Sequence, residues 1–378
     1  MNSSHGCPQV RALFSPLSCN HFMDAYFEQR HHLVRRSAAA STFADAGGFG
    51  QHLLRVADVT HMADHWQFKV GADHSQARLL RPDSFSHDDT WPEGSLLDAA
   101  ALARASRLNR TVVLHNVELY WRPIGALSLA LMRTFGLYAQ ANVYLSPPGL
   151  ASAVHAHQDA QSVFILQCEG RKRWELFEAP QRWRLRYNQR GKAGDVAPAA
   201  ELTTKLGVFD LSAGDVLFVP RGIYHRTSTA LPAEKLPSAA GATGEAASVP
   251  PSLHVTIGIE TDTDDWTWIS LLKSVASALS IPQAERLLDA AQWHDEKLRQ
   301  ALPLPLCMRA GSFTDEPYGP AWLSRAQDAV RLHLRTRPEP RSLQEALDAS
   351  LRTRQEYVER KREQIIQFME MSPSKRRA

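Results

Sequence analysis

The chain predicts a mainly β core, preceded by an α/β region and followed by α-helices. Two observations carry this. From about Arg110 to Glu260, short runs of aliphatic and β-branched residues are broken by turn residues. After Asp265, apolar residues recur instead at the spacing of one helix face.

The first stretch, residues 1–104, mixes helical patches such as Cys19 to Arg30 with short strand-like runs and turns such as Arg81-Pro82-Asp83. It reads as an N-terminal α/β extension. The second stretch, 105–265, contains the runs Thr111 to Leu114, Asn142 to Leu145, Ser162 to Gln167, Arg173 to Phe177, Asp215 to Val219 and Leu253 to Ile259. Many short strands at this spacing predict a sandwich or barrel. Within it, Ala230 to Pro251 is rich in Ala, Gly, Ser and Pro and lacks periodicity, which predicts a surface insertion. In the third stretch, 266–378, Trp268, Leu271, Leu272, Val275 and Leu279 line one helical face. A second helix is predicted from Pro282 to about Gln300. A third is predicted to begin at the capping-box pattern Ser342-Leu343-Gln344-Glu345 and run to about Met371. Leu351, Val358 and Ile365 repeat every seven residues. That spacing fits a short coiled-coil contact in a homodimer, or a helix packed on its own domain.

Composition narrows the function. With 43 basic and 40 acidic residues the net charge is only +3, so direct nucleic-acid binding is not expected. Four cysteines, at positions 7, 19, 168 and 307, form no CxxC pair, which argues against a zinc ribbon or disulfide framework and fits a reducing compartment. No secretory signal or membrane-length apolar run is present, so a soluble intracellular protein, cytoplasmic or nuclear, is expected.

One constellation carries chemistry. If His155-Ala156-His157-Gln158-Asp159 is a strand, residues 155, 157 and 159 share a face. Two of them offer cis positions to an octahedral metal, and a third ligand from a distant strand completes a 2-His-1-carboxylate face with open positions opposite. Gly214 to His225 supplies that ligand: an apolar strand runs into Pro220-Arg221-Gly222, and His225 follows. An HxD triplet alone is common by chance; the pattern Gly-x5-Pro-x-Gly-x2-His, whose histidine stands 66 residues after Asp159, is rarer and carries most of the weight. On the face alone, a His155/His157 pair competes with His157/Asp159.

Lys172 adds a second clue. On its strand Arg171, Arg173 and Glu175 form a charged face, which leaves Lys172 with Trp174 and Leu176 on the apolar one. The residues Cys168 to Arg171 read as a hairpin turn before it. A buried ammonium is costly without a partner, and no acidic residue shares its face. A carboxylate-bearing ligand would supply one, while snorkelling of the stem is the simpler alternative.

These segments resemble a known family. The Gly214-to-His225 spacing is similar to the second signature of the cupins, which implies a double-stranded β-helix (cupin or jelly-roll) barrel. Asn142 to Gly149, His157-Gln158-Asp159, Phe164 to Trp174, Gly214 to His225 and Ser252 to Thr256 together resemble the JmjC branch that contains the ribosomal oxygenases. Phe22 to Arg36 also resembles that family's entry helix and following strand. The resemblance implies Fe(II) held by His157, Asp159 and His225, with no catalytic side chain beyond the metal centre. It also implies that a lysine fifteen residues after the first ligand, here Lys172, binds the distal carboxylate of 2-oxoglutarate. That favours HxD over HxH. Asn142, Tyr144 and Thr256 are expected to line the cosubstrate pocket. Relatives usually continue into a winged-helix domain, for which residues up to Ala378 leave little room, and the 230–251 insertion replaces a short link. The expected activity is hydroxylation of a protein or peptide side chain, with ribosomal proteins first. Asp262, Asp264 and Asp265 read as an ordinary solvated loop or as an acidic face for a basic substrate. Demethylation, small-molecule oxidation and a non-enzymatic metal-binding cupin are the alternatives.

Overall fold

Successive side chains of a strand point to opposite faces, and in the β-rich segment those faces build two antiparallel sheets packed on each other. The computed structural model describes residues 8–35, 52–71, 75–84, 86–185, 197–230, 249–260, 267–281, 283–292, 294–295, 298, 328–334 and 339–371. The N-terminal region contributes α1 (Pro8–Ala12), α2 (Cys19–Ala25), β1 (His32–Val34), α3 (Val56–Trp66), β2 (Phe68–Lys69), β3 (Ala77–Leu80), β4 (Leu96–Leu97) and α4 (Ala99–Arg107). The β-rich region follows with β5 (Thr111–Leu114), α5 (Arg122–Phe135), β6 (Ala139–Ser146), β7 (Val154–His157), β8 (Ser162–Glu169) and β9 (Arg171–Phe177). It closes with β10 (Lys205–Ser212), β11 (Val216–Val219), β12 (Tyr224–Ser228) and β13 (Ser252–Ile259).

The larger sheet runs β1-β11-β8-β13-β6-β5-β3 and the smaller β10-β9-β12-β7. Two strands of the N-terminal region, β1 and β3, form the edges of the larger sheet. Its outer face (Val143, Phe164, Leu166, Phe218, Val255 and Ile257) packs under α2 and α5 in one continuous core with Phe22, Phe27, Leu131 and Phe135. The inner face meets the smaller sheet through Val163, Ile165, Leu217 and Val219 against Trp174, Leu176 and Leu211. Central strand β8 is covered on both sides, which explains why it reads as an unbroken apolar run.

Gly170, at φ +63°, joins β8 to β9, and a Cβ there would run into the Pro251 carbonyl. The two strands do not form the hairpin expected from sequence. β8 pairs with β11 and β13 while β9 pairs with β10 and β12, so the turn carries the chain from one sheet to the other. This crossing puts the apolar side of β9, with Lys172, into the sandwich interior. The charged side stays outside: Arg173 binds Asp210, and Glu175 binds Arg226 and Lys205.

The helices that follow are α6 (Trp268–Ala278), α7 (Ala284–Ala291) and α8 (Pro340–Glu370). Helix α6 starts at a reciprocal cap between Thr267 and Ser270. Helix α8 starts two residues before the expected capping box, with Pro340 in its first turn and no side-chain cap. Its buried Leu343, Leu347, Ile365 and Phe368 pack within the chain against α5, α6 and the turn at 117–119. Val358 is partly buried there too. No described helix is long and apolar enough to cross a membrane. Asp262, Asp264, Asp265, Arg36, Pro282, most of the 230–251 insertion and the side chain of Leu351 lie outside the described residues.

Candidate metal centre

His157 ends β7, Asp159 stands two residues beyond, and His225 lies on β12 directly opposite His157 in the pairing register. The Pro220-to-Gly222 turn that delivers His225 is tied to the HxD segment, because Gly222 N–H donates to the Asp159 carbonyl at 2.9 Å. Gly222 has φ +78°, a conformation glycine adopts without strain. The spacing of the motif thus has a mechanical meaning: the glycine turn is the clasp that holds the two halves of the site together.

The three side chains converge. His157 Nε2 lies 3.8 Å from Asp159 Oδ1, and His225 Nε2 lies 3.5 Å from Asp159 Oδ2. One ligand atom from each falls within 4.8 Å of the others, and all three residues are buried. Each imidazole also has its other nitrogen engaged. His157 Nδ1 is 2.9 Å from the His155 carbonyl, and His225 Nδ1 is 3.2 Å from the Ile223 carbonyl. A carbonyl only accepts, so both Nδ1 atoms carry a proton, and both Nε2 atoms face Asp159. Fixing the tautomer in this way is how a metal-ligating histidine is held ready.

His155 is not brought in. It is half-buried and its Nδ1 lies 3.2 Å from Asp83 Oδ1. Lys172 is fully buried, and its Nζ donates to Ser146 Oγ at 3.1 Å. Burial pushes its ammonium down to about 7. A cavity with about 350 Å³ of empty space, its open mouth included, brings His157, Asp159, His225 and Lys172 together with Tyr144 and Thr256. Asn142 shares the inner face but does not line it; its amide oxygen is 3.3 Å from His115 Nδ1 and accepts from Asn116 N–H at 3.4 Å.

Sequence reasoning missed His254, Trp174 and Thr227 as cavity residues. His254 is stacked parallel on Tyr144, with ring centroids 4.8 Å apart, and meets Trp174 edge-on at 5.5 Å. Burial, then the nearby Lys172 and His225, hold it well below the usual imidazole range, so it is neutral. Its place in β13, two residues before Thr256 on the same face, was the available signal.

Residues 126–243, which include the three convergent residues and Lys172, match the family model described as JmjC domain. Among individual proteins, the chain is similar to the bifunctional lysine-specific demethylase and histidyl-hydroxylase NO66 of Drosophila grimshawi, at 28% identity over 220 residues, covering 58% of this chain and 28% of the relative. It is similar to the Drosophila sechellia protein of the same name at 31% over 226 residues, covering 58% and 31%. Ribosomal oxygenase 2 of Bos taurus is 24% identical over 225 residues, covering 58% and 44%. The chain thus spans less than half the length of these curated relatives. Among solved structures, the ribosomal oxygenase YcfD from Escherichia coli in complex with cobalt and 2-oxoglutarate aligns with TM-score 0.40 and 16% identity, over 86% of this chain and 68% of that one.

Proposed function

We propose that this chain is an Fe(II)- and 2-oxoglutarate-dependent oxygenase that hydroxylates a protein or peptide side chain, with ribosomal proteins as the first substrate class to test. The observation that carries this reading is the buried convergence of His157, Asp159 and His225, with both Nε2 atoms turned to the carboxylate, in one cavity with a buried lysine. Two imidazoles and a carboxylate on one face suit a non-haem Fe(II) with open positions, and they would hold it here. When bound, the metal and cosubstrate supply the oxidation: 2-oxoglutarate becomes succinate and CO2, one oxygen atom going to succinate and the other to the substrate.

The chain's own residues position and shield. Lys172 would receive the distal carboxylate, with Tyr144 and Thr256 on the cavity wall and Asn142 bracing the strand beside them. Residues 105–265 would be the catalytic domain, its two sheets a double-stranded β-helix of the jelly-roll kind, carried between the 1–104 extension and the helical 266–378 region. The printed names of the relatives support an action on protein. One of those names also supports a second reading, lysine demethylation, on the same centre. Incubating the Fe(II)-loaded chain with ribosomal proteins, 2-oxoglutarate and O2, then measuring masses, separates the two. Gain of one oxygen supports hydroxylation, loss of a methylene supports demethylation, and no change with every class of protein offered refutes both.

A further inference from the structure

Alternate side chains along β7 and its exit point to opposite sides. His157 and Asp159 turn into the sandwich, so Gln158 between them turns to the outer side of the smaller sheet. Tyr224 stands in the same relation to His225 on β12. Both outer residues are nonetheless buried, at 1% and 0% exposure. Tyr224 lies in an apolar cluster with Ala156, Phe177, Ala197 and Leu202, and Trp183 packs against it.

Two polar groups meet in this apolar setting. Gln158 Nε2 donates to the Trp183 carbonyl at 2.6 Å and to the Tyr224 hydroxyl at 3.2 Å. That hydroxyl also accepts from Ala197 N–H at 2.9 Å. A carbonyl only accepts, so the amide nitrogen is the end that faces Trp183. Trp183 and Ala197 belong to the chain between β9 and β10. Glu201 ties the two described ends of that chain together, accepting from Arg182 Nε at 2.9 Å and Trp183 Nε1 at 2.8 Å.

The strands that carry the three convergent residues have few other braces. β7 is a four-residue edge strand whose neighbour in its sheet is β12. Their ladder shifts register between His225 and Thr227, and the pair His157–His225 ends it, with Asp159 beyond. The Gln158–Tyr224 bond falls at that end. Gln158 is the chain neighbour of His157 and of Asp159, and Tyr224 of His225. A metal site needs its side chains held within about 0.5 Å of the productive geometry. Stability alone does not call for this pair. Gln158 Oε1 is buried with no hydrogen-bond partner among the described residues, a cost that a methionine of similar length would avoid.

We propose that Gln158 and Tyr224 are positioning residues for the metal: from behind its ligands they lock the ends of β7 and β12 to each other and to the segment between β9 and β10. The inference rests on the metal reading above and adds to it two residues that line no part of the cavity.

The test uses the full chain under nitrogen, titrated with Co(II) against a competing chelator while the visible d–d bands report the coordination geometry. Tyr224→Phe and Gln158→Met should each lose about tenfold in Co(II) affinity and shift the bands, as partners standing behind metal ligands do. The double variant should lose clearly less than the product of the two single losses, because both remove one shared bond. Tyr138→Phe removes a buried tyrosine hydroxyl, bonded to Glu118, from the other side of the larger sheet, and should leave affinity and bands as in wild type. Circular dichroism checks folding, and either variant serves if the other fails to fold. If a folded variant of the pair binds Co(II) with wild-type affinity and bands, the pair only packs, and the proposal falls while the metal reading stands. If Tyr138→Phe disturbs the site equally, the effect is general loss of stability and the proposal falls as well. If wild type binds no Co(II), the metal reading itself falls.

Discussion

Two fully buried ionisable groups sit on opposite sides of the larger sheet, and the protein treats them differently. Glu118, in the turn at Val117–Leu119, receives the Tyr138 hydroxyl on one oxygen and the Ala141 N–H at 2.9 Å on the other, with Lys361 of α8 acting electrostatically nearby. Helix α5 packs so closely there that a Cβ at Gly125 would lie 2.8 Å from the Glu118 carbonyl oxygen. Lys172 has a serine hydroxyl, and among the described residues it forms no ion pair with a carboxylate. Burial moves both groups to about 7, the acid upward and the base downward. The difference lies in the surroundings. Glu118 is finished by its neighbours and ties a turn to a strand, whereas Lys172 borders a cavity, where the proposed cosubstrate would bring its counter-charge.

Breaking the metal end of that cavity should have the largest effect. His157→Ala, Asp159→Ala and His225→Ala should each abolish stoichiometric binding of Fe(II) or Mn(II), measured by metal analysis after desalting, while His155→Ala should retain it. Metal loss in His155→Ala with retention in Asp159→Ala would reverse the ligand assignment.

Lys172→Ala comes next. Leaving a buried carboxylate unpaired costs about 3–5 kcal/mol, a factor of ~10² to 10³ or more in affinity. Calorimetry should show that loss for 2-oxoglutarate, with metal binding intact. Equal affinity would make Lys172 a wall residue only.

A third effect is smaller and depends on pH. In the free protein Lys172 loses its proton near 7, and a bound carboxylate favours the ammonium, so binding takes up a proton above that pH. Affinity for 2-oxoglutarate should be flat below about pH 7 and fall by up to about tenfold per unit above it. Lys172→Ala should remove the slope; a slope unchanged in the variant would assign it elsewhere.

Glu118→Gln should have the smallest effect and should sharpen the contrast. Its acid is raised from 4.5 to about 7, so the folded state binds the extra proton between those values and this group's contribution to stability declines as pH rises through that window. Urea unfolding at several pH values should show that dependence reduced in the variant, with 2-oxoglutarate affinity unchanged. Loss of cosubstrate affinity would mean the two sides of the sheet are coupled.

What sequence could reveal followed from local geometry. Period-two alternation placed Lys172 on the dry face of β9, and the glycine spacing placed His225 beside the HxD segment. Alternation also put His155 on the His157 face, but the structure turns it to Asp83, and a one-strand pattern could not show a partner 72 residues away. The same limit hid the place of His254 in the cavity wall, since it packs against Tyr144 and Trp174 from two other strands. It also hid the passage of β8 into β9 between sheets, because a glycine turn looks alike whether the strands pair or part. The family resemblance put Asn142 in the cosubstrate pocket, but it does not line the cavity, because the 115–116 segment engages its amide, a contact that resemblance does not register.

The central claim is that His157, Asp159 and His225 hold an iron that, with O2, decarboxylates 2-oxoglutarate. The most direct measurement is succinate released from 2-oxoglutarate by the Fe(II)-loaded chain in the presence of O2 and ribosomal protein. Succinate should form with wild type, stop on exclusion of O2, and be absent with Asp159→Ala. No succinate from wild type with every protein substrate offered, or equal succinate from Asp159→Ala, would contradict the account.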